Sequence, residues 1–526
     1  MDILQRVLSI VERAANRPFL IDAISDRTFT YADTYRLGTG LAVELQARGI
    51  RRGDRVAIIL HNSGEFALLY FACLYAGAVA VPVNPELHQR EIDYVLAHSG
   101  AKLLVYSSAT SGFFDGPALA RNGIRLWKLI PCDEPRRADG DDADTWSLST
   151  IRSPQTDGWR PFGGASADDL FSITFTSGTT SLPKGVSHRI GSLLENAAAF
   201  NYELEFDSTC RFLHILQMGY MAGFLNTLLC PFMAEATVVL ASPFGPKSML
   251  NFWEPVIRYG ADTLWLSPTM LAGLLRMDRD PAGREYSQKH LKTVCVGTAP
   301  LPLKTKKEFQ AKYGIEVFES YGLSELLLVS GNSRRFPRLD NSVGRVLPLV
   351  DAQVVDEGGK LADSGQEGEI LIKTPYVMAG YLNYQTLQPD STTPGSWFST
   401  GDVGYLNKEG DLFVTARKKD LIIRGGVNVS PRLVEDVLLE HDAVAQVAVI
   451  GLPHDFYGEE VVAAIDLKPG CLLASERGSL IAFCKERLSP HCVPTRFVEV
   501  EQFPVSSNGK VQKNRLKEQL LATPKS

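Results

Sequence analysis

The stretch Thr176-Ser-Gly-Thr-Thr-Ser-Leu-Pro-Lys-Gly185 follows directly on the apolar run Leu170-Phe-Ser-Ile-Thr-Phe175. A strand that feeds a hydroxyl- and glycine-rich loop presents backbone N–H groups, hydroxyls and one cation to an anion, which is the chemistry of a phosphate cradle. It is not the P-loop of the common ATPases. That pattern needs a Gly-Lys-Ser/Thr triplet, whereas Lys184 follows Pro183 and precedes Gly185. A Gly/Ser/Thr run alone also describes a plain surface turn, so the surrounding chain decides.

Before the loop, helical and strand patterns alternate. Ile3, Leu4, Val7, Leu8 and Val11 recur at helical spacing, and Leu37, Leu41 and Leu45 mark a second helix. The strand Arg55–Leu60 is followed by an apolar helix from Phe66 to Tyr75 that stops at Gly77, then by Val79–Val83. Ile92 to Ala101 and Leu103–Tyr106 repeat helix then strand. From Pro131 to Asp169 the chain loses periodicity, an excursion rather than a boundary, because a strand at Phe171 needs neighbours from the first part. Beyond the loop the pattern resumes with Thr237–Leu240, Thr263–Leu266 and Thr293–Val296. Such alternation predicts parallel sheets covered on both faces. After Gly344, short strands such as Asp351–Val355 and Glu369–Ile372 predict a β-rich subdomain.

Past the polar run Arg417-Lys-Lys-Asp420 the pattern is self-contained: a helix near Pro431–Glu440, strands Val444–Ile450 and Glu460–Leu467, and a helix near Leu480–Leu488. A segment of this size can form a small domain of its own. The expected organisation is α/β: a large N-terminal domain over 1–416, a connector at 417–420, and a small α+β C-terminal domain over 421–526.

Composition excludes several classes. At 526 residues the chain exceeds one ordinary core, and 45% apolar residues are ample to fill two or more. The formal charge of −6, from 54 basic and 60 acidic residues, and the absence of long basic runs argue against a nucleic-acid partner. No stretch is apolar enough to span a bilayer, and Met1-Asp-Ile-Leu-Gln-Arg-Val-Leu8 carries charge before any apolar run. The expectation is a cytosolic enzyme, monomeric or homodimeric. Cys73, Cys132, Cys210, Cys230, Cys295, Cys471, Cys484 and Cys492 stand without a Cys-x-x-Cys pair, which reads as reduced thiols and no zinc site.

Four later stretches follow the loop in order: Tyr321-Gly-Leu-Ser-Glu325, Ser399-Thr-Gly-Asp402, Arg417-Lys-Lys-Asp420 running into Arg424-Gly-Gly-Val-Asn428, and Pro504-Val-Ser-Ser-Asn-Gly-Lys510. With the loop they resemble the adenylate-forming superfamily of acyl-CoA synthetases, firefly luciferase and peptide-synthetase adenylation domains. The match runs from Phe29-Thr-Tyr31 to Lys510, and five ordered motifs carry a specificity that none has alone.

The resemblance implies ATP, Mg²⁺ and CoA as reactants, with a small carboxylic acid as the group activated. It implies that Thr176, Ser177, Gly178, Thr179, Thr180 and Lys184 close over the β- and γ-phosphates. Glu325 would hold Mg²⁺, Tyr321, Gly322 and the turn Gly297-Thr-Ala-Pro300 would enclose the adenine, and Ser324 would lie beside the α-phosphate. Of that turn Gly297, Ala299 and Pro300 are the named contacts. Asp402 would accept from the ribose hydroxyls, Arg417 would donate to ribose or phosphate, and Lys510 would bridge the attacking carboxylate and the α-phosphate. Lys419 maps to a domain hinge, and Gly425-Gly426 would let a pantetheine arm pass close to the backbone. Two departures stand out: Ser181 replaces a usual glycine, and Ala416 precedes the arginine where glycine is common. Lys184, Glu325, Asp402, Arg417 and Lys510 together argue against a decayed, purely binding member.

The acid pocket is read from Gln217-Met-Gly-Tyr-Met-Ala-Gly-Phe224, where relatives carry an aromatic followed by histidine and Tyr220 takes the histidine's place. Tyr220, Met221, Gly223, Phe224, Gly297 and Leu323 are the expected walls. No aspartate stands there to hold an α-ammonium, so an apolar fatty or aryl acid is expected. Leu326-Leu-Leu-Val329 is either further pocket surface or plain core. CoA is the expected acceptor, with a separate carrier protein as the alternative, since no carrier domain follows Lys510.

Overall fold

The strand Arg55–Ile59 shows why this chain builds covered sheets. Every residue in it is buried; Val56 and Ile58 face one apolar cluster while Ala57 and Ile59 face another. Side chains alternate across a strand, so apolar residues on both parities require cover on both faces. A computed structural model of the chain describes residues 3–130, 145–151, 161, 165–176, 183–505 and 511–522.

Two large sheets form the N-terminal domain. One has eight strands in the order Gly380–Tyr381, Lys184–Arg189, Leu170–Thr176, Val79–Pro82, Arg55–Ile59, Ala101–Ser107, Arg125–Leu129, Thr145–Trp146. The other has nine: Arg345–Val346, Leu327–Gly331, Val317–Leu323, Thr293–Val296, Thr263–Leu266, Arg211–His214, Thr237–Leu240, Pro18–Asp22, Arg27–Thr30. Both share one core with the helix Gly64–Ala76, whose residues are all buried. Each large side chain placed there contributes about 1.5–3 kcal/mol. Ser63 caps the helix by accepting from Phe66 N, and Gly77 ends it at φ +68°, a left-handed turn that glycine adopts without strain.

The expectation of parallel sheets needs one correction, since both are mixed. The strands Leu170–Thr176 and Lys184–Arg189 run antiparallel, as do Val317–Leu323 and Leu327–Gly331. The connections joining these pairs are far too short for the crossover that parallel neighbours need. Most of the aperiodic stretch from Pro131 to Asp169 lies outside the described residues, but Thr145–Trp146 extends the eight-stranded sheet beside Arg125–Leu129.

The β-rich region is a four-stranded antiparallel sheet, Asp351–Val355, Gly368–Lys373, Phe398–Leu406 and Leu412–Arg417. A short 3₁₀ turn, Lys418–Asp420, follows. The chain then enters a five-stranded sheet built on the long pair Val444–His454 and Gly458–Leu467. The helices Pro431–Glu440 and Leu473–Arg487 cover one face, and Lys513–Ala522 covers the other. Leu473–Arg487 begins well before the expected Leu480. Ser430 Oγ donates to Thr415 O at 2.9 Å, and Lys304 Nζ to Leu439 O at 2.8 Å, so the small domain rests on the large one.

Candidate functional site

The hairpin formed by Leu170–Thr176 and Lys184–Arg189 positions Lys184. Its register places Thr176 opposite Lys184, and Thr176 Oγ1 donates to Lys184 O at 3.5 Å. Ser177, Gly178, Thr179, Thr180 and Ser181, between them, lie outside the described residues.

Two adjacent parallel strands, Thr293–Val296 and Val317–Leu323, bring the next group together. The turn after each of them emerges at the carboxyl end of the sheet, where open α/β folds hold ligands. Here Gly297, Thr298, Ala299 and Pro300 follow the first strand, and Tyr321 and Gly322 lie near the end of the second. Both glycines are needed for close approach. A Cβ on Gly297 would meet Ser320 Oγ at 2.7 Å, and one on Gly322 would collide with Leu327 O. Ser324, Glu325 and Leu326 form the tight connection into Leu327–Gly331, with Leu327 at φ +61°.

His188 ties the lysine strand to this connection. It is wholly buried, and its Nε2 lies 2.6 Å from Ser324 O. Because a carbonyl only accepts, Nε2 carries the proton. Burial pushes the ring down to about 4, so at neutral pH it is an uncharged donor.

Glu325 is held twice by a segment from farther along. Met378 N donates to its backbone oxygen at 2.8 Å, and the Tyr381 hydroxyl donates to Oε1 at 2.7 Å. Lys184 Nζ sits 5.0 Å from the centre of the Tyr381 ring. Among the described residues Glu325 makes no ion pair, and no group of three or more His, Cys, Asp or Glu could hold a metal. A single hard carboxylate of this kind suits Mg²⁺, which prefers one or two carboxylates plus substrate phosphates over an all-protein cage.

Asp402 and Arg417 face each other across neighbouring strands. Arg417 Nε lies 2.7 Å from Asp402 Oδ1, and the Tyr321 hydroxyl donates to Oδ2 at 2.6 Å. Burial lifts the Asp402 carboxyl above the ordinary carboxylate range, and Arg417 and Tyr321 oppose the lift. Each oxygen keeps a further lone pair, enough for a ribose diol. One carboxylate thereby joins Tyr321 to the strand Leu412–Arg417.

The remaining expected residues are spread more widely. Lys419 lies in the 3₁₀ turn between the two domains' sheets. Gly425 and Gly426, at φ +60° and +82°, form the exposed two-residue turn between Ile422–Arg424 and Val427–Val429. Such a turn demands positive φ at both positions. Val505 and Val511 pair with each other; Lys510, next to Val511, lies outside the described residues.

The expected walls of the acid pocket differ in exposure. Met221 and Phe224 are core residues: Phe224 stacks on Tyr70 at 4.2 Å and meets Phe171 at 5.7 Å. Their burial follows from the hydrophobic effect on large apolar side chains, and Phe224 also lines a small apolar cavity with Tyr70, Phe71, Phe171 and Leu228. Gly223 is confined, since a Cβ there would collide with Gln217 O, and Ala222–Leu229 is wound as a π-helix, a form frequent at functional sites. Leu326–Val329 is plain core. Tyr220 stays half-exposed, as do Gln217 and Leu323. Tyr220→Ala is therefore expected to admit bulkier acids and to lower kcat/KM for the native acid about tenfold, as an acid-profile assay would show; an unaltered profile would place the pocket elsewhere.

Sequence reasoning missed His188, Tyr381 and Tyr384, whose hydroxyl donates to Pro183 O at 2.7 Å. No spacing pattern marks them, because each acts across a long stretch of chain.

Known proteins match this chain along nearly its whole length. The family model described as AMP-binding enzyme matches residues 9–382, and its C-terminal domain model matches 433–510. The chain is 31% identical over 521 residues to a long-chain-fatty-acid–CoA ligase of Mycobacterium tuberculosis, covering 97% of this chain and 98% of that protein. It is 29% identical to a 2-succinylbenzoate–CoA ligase of Bacillus subtilis, covering 97% of each. Among solved structures it is similar to ATP-bound MatB from Rhodopseudomonas palustris, with a TM-score of 0.85, 27% identity and 99% of each chain covered. It is also similar to the o-succinylbenzoate CoA synthetase of Bacillus subtilis in complex with its acyl-adenylate intermediate, with a TM-score of 0.79, 28% identity and 97% of each chain covered.

Proposed function

This chain belongs to the AMP-binding enzyme family, and from that premise we propose how it works as an AMP-forming acid–CoA ligase. A carboxylate oxygen of the substrate attacks the α-phosphorus of ATP. The bond from that phosphorus to the bridging oxygen breaks, and pyrophosphate leaves with the electron pair. The CoA thiolate then attacks the acyl carbon, the carbon–oxygen bond to AMP breaks, and thioester and AMP are released. The observation that carries the reading is two contact groups, in which Tyr381 brings Lys184 to Glu325 and Asp402 brings Tyr321 to Arg417.

In this reading Lys184 offsets phosphate charge, Asp402 orients the ribose, and Tyr321 with the turn after Gly297 encloses the base. Glu325 would hold Mg²⁺, which shields the triphosphate and assists pyrophosphate departure. Lys510 acts at the carboxylate during the first step and must withdraw for the second. A swing about Lys419, with domains divided at 417–420, meets that need. The Gly425-Gly426 turn, which carries no side chain to obstruct a narrow pantetheine arm, would then line its path. The acid is proposed to be apolar and without an α-amine, given the lack of an acidic partner in Gln217–Phe224.

The test is a pyrophosphate-release screen across short, medium, long and aromatic acids, followed by CoA or a holo-carrier protein as acceptor. Acyl-AMP with a simple acid and its conversion to acyl-CoA are expected; activity with amino acids alone, or transfer to the carrier alone, would overturn the assignment. Glu325→Gln is expected to raise the Mg²⁺ needed for half-maximal pyrophosphate release tenfold or more, roughly, because a neutral amide is a poor ligand for a hard cation. An unshifted Mg²⁺ titration would remove Glu325 from the metal.

A further inference from the structure

Tyr381 joins two groups that the chemistry requires but that nothing in the sequence connects. Its two-residue strand pairs with the lysine strand, Gly380 opposite Ser187 and Tyr381 opposite Val186. Lys184 is thus the diagonal neighbour of Tyr381 on the same face, a separation that long and aromatic side chains bridge. The backbone is fixed on both sides, with Leu382 N donating to Gly185 O at 2.7 Å and Asp390 N to Tyr381 O at 2.8 Å. Gly380, at φ +148°, allows this close approach, since a Cβ there would collide with Asp390 O.

From this rigid platform the hydroxyl reaches Glu325 and the ring reaches Lys184. Among the described residues neither Glu325 nor Lys184 makes an ion pair, so Tyr381 is the link between a carboxylate and a cation of opposite roles. An ionised carboxylate only accepts, so the phenol is the donor of the pair.

Building on the assignment of Glu325 to Mg²⁺, we propose that Tyr381 is a positioning residue: its hydroxyl orients the Glu325 carboxylate toward the metal while its ring face holds the Lys184 ammonium. One side chain thereby sets the relation between the metal ligand and the cation that bracket the triphosphate. A hydrogen bond of this kind restricts rotation of the ligating carboxylate, and groups that orient metal ligands typically matter nearly as much as the ligands. The ring contact is a cation–π interaction that places the ammonium without neutralising it, leaving its charge for phosphate.

The experiment separates the two contacts in the full chain. Tyr381→Phe keeps the ring and removes the hydroxyl; Tyr381→Leu removes both. Mn²⁺ binding in the presence of a non-hydrolysable ATP analogue, followed by water-proton relaxation, gives a readout independent of turnover. Tyr381→Phe is expected to weaken Mn²⁺ binding on the order of tenfold, shift the Mg²⁺ midpoint of pyrophosphate release alike, and leave the melting temperature nearly unchanged. In a Glu325→Gln background the same change is expected to add nothing, whereas a merely structural tyrosine would cost the same in either background. Tyr381→Leu is expected to raise KM for ATP further, as Lys184 loses its seat. Unchanged Mn²⁺ affinity in Tyr381→Phe, or equal losses with and without the Glu325 carboxylate, would overturn the proposal. If the unmodified protein bound Mn²⁺ with the analogue yet released no pyrophosphate with any acid, the ligase reading would fail while the coupling of Tyr381 to Glu325 remained measurable.

Discussion

Lys510→Ala is expected to slow acid-dependent pyrophosphate release on the order of a hundred- to a thousandfold, the usual cost of losing one group aimed at transition-state charge. The same variant is expected to convert supplied acyl-adenylate and CoA to thioester at close to the unmodified rate. The asymmetry follows from the order of events. In the first step two anions, a carboxylate and a triphosphate, must approach, and one ammonium between them offsets the repulsion. In the second step the nucleophile is a thiolate and the leaving group an AMP, which on the proposed reading Asp402 and Arg417 would still hold. Single-turnover measurement of each half-reaction, with the melting temperature as a control for folding, checks the result. Equal loss in both half-reactions would rule out a lysine that acts in one step and withdraws in the other.

Asp402→Ala ranks next. The carboxylate is buried, accepts from Tyr321 at 2.6 Å and pairs with Arg417 at 2.7 Å. If Asp402 is the ribose acceptor, as proposed, its removal takes away hydrogen bonds to a charged group worth about 1.5–3 kcal/mol, so KM for ATP is expected to rise roughly ten- to a hundredfold. The substitution also strands the Tyr321 hydroxyl, which is expected to cost about 1–3 kcal/mol of stability. Asp402→Asn, which keeps an acceptor oxygen and the shape, is expected to recover most of the stability but less of the ATP affinity. Steady-state kinetics in ATP and a thermal melt separate the two effects. An unchanged KM for ATP in Asp402→Ala would place the ribose elsewhere.

Much of the architecture was legible in the chain because it rests on local patterning. The buried strands at Val56–Ile59 and Thr293–Val296 and the helix ending at Gly77 follow from apolar periodicity and one left-handed glycine, properties of neighbouring residues. The order of the five motifs was equally legible, since it is a property of the chain as text. Tyr321, Asp402 and Arg417, singled out separately, meet in one hydrogen-bonded group although Tyr321 and Asp402 stand 81 positions apart.

Only the tertiary structure decided the partnerships. The pairing of Tyr381 with Glu325, 56 positions away, and of His188 with Ser324, 136 positions away, has no counterpart in spacing. Hydrogen-bond partners at such distances are chosen by how strands register across a sheet. The same holds for the apolar residues of the acid-pocket segment. Composition says that Met221 and Phe224 seek burial, and both satisfy it in the core, because hydrophobic burial is non-directional and any apolar surround serves. Periodicity tells a residue which face it occupies; only the folded chain supplies what that face meets.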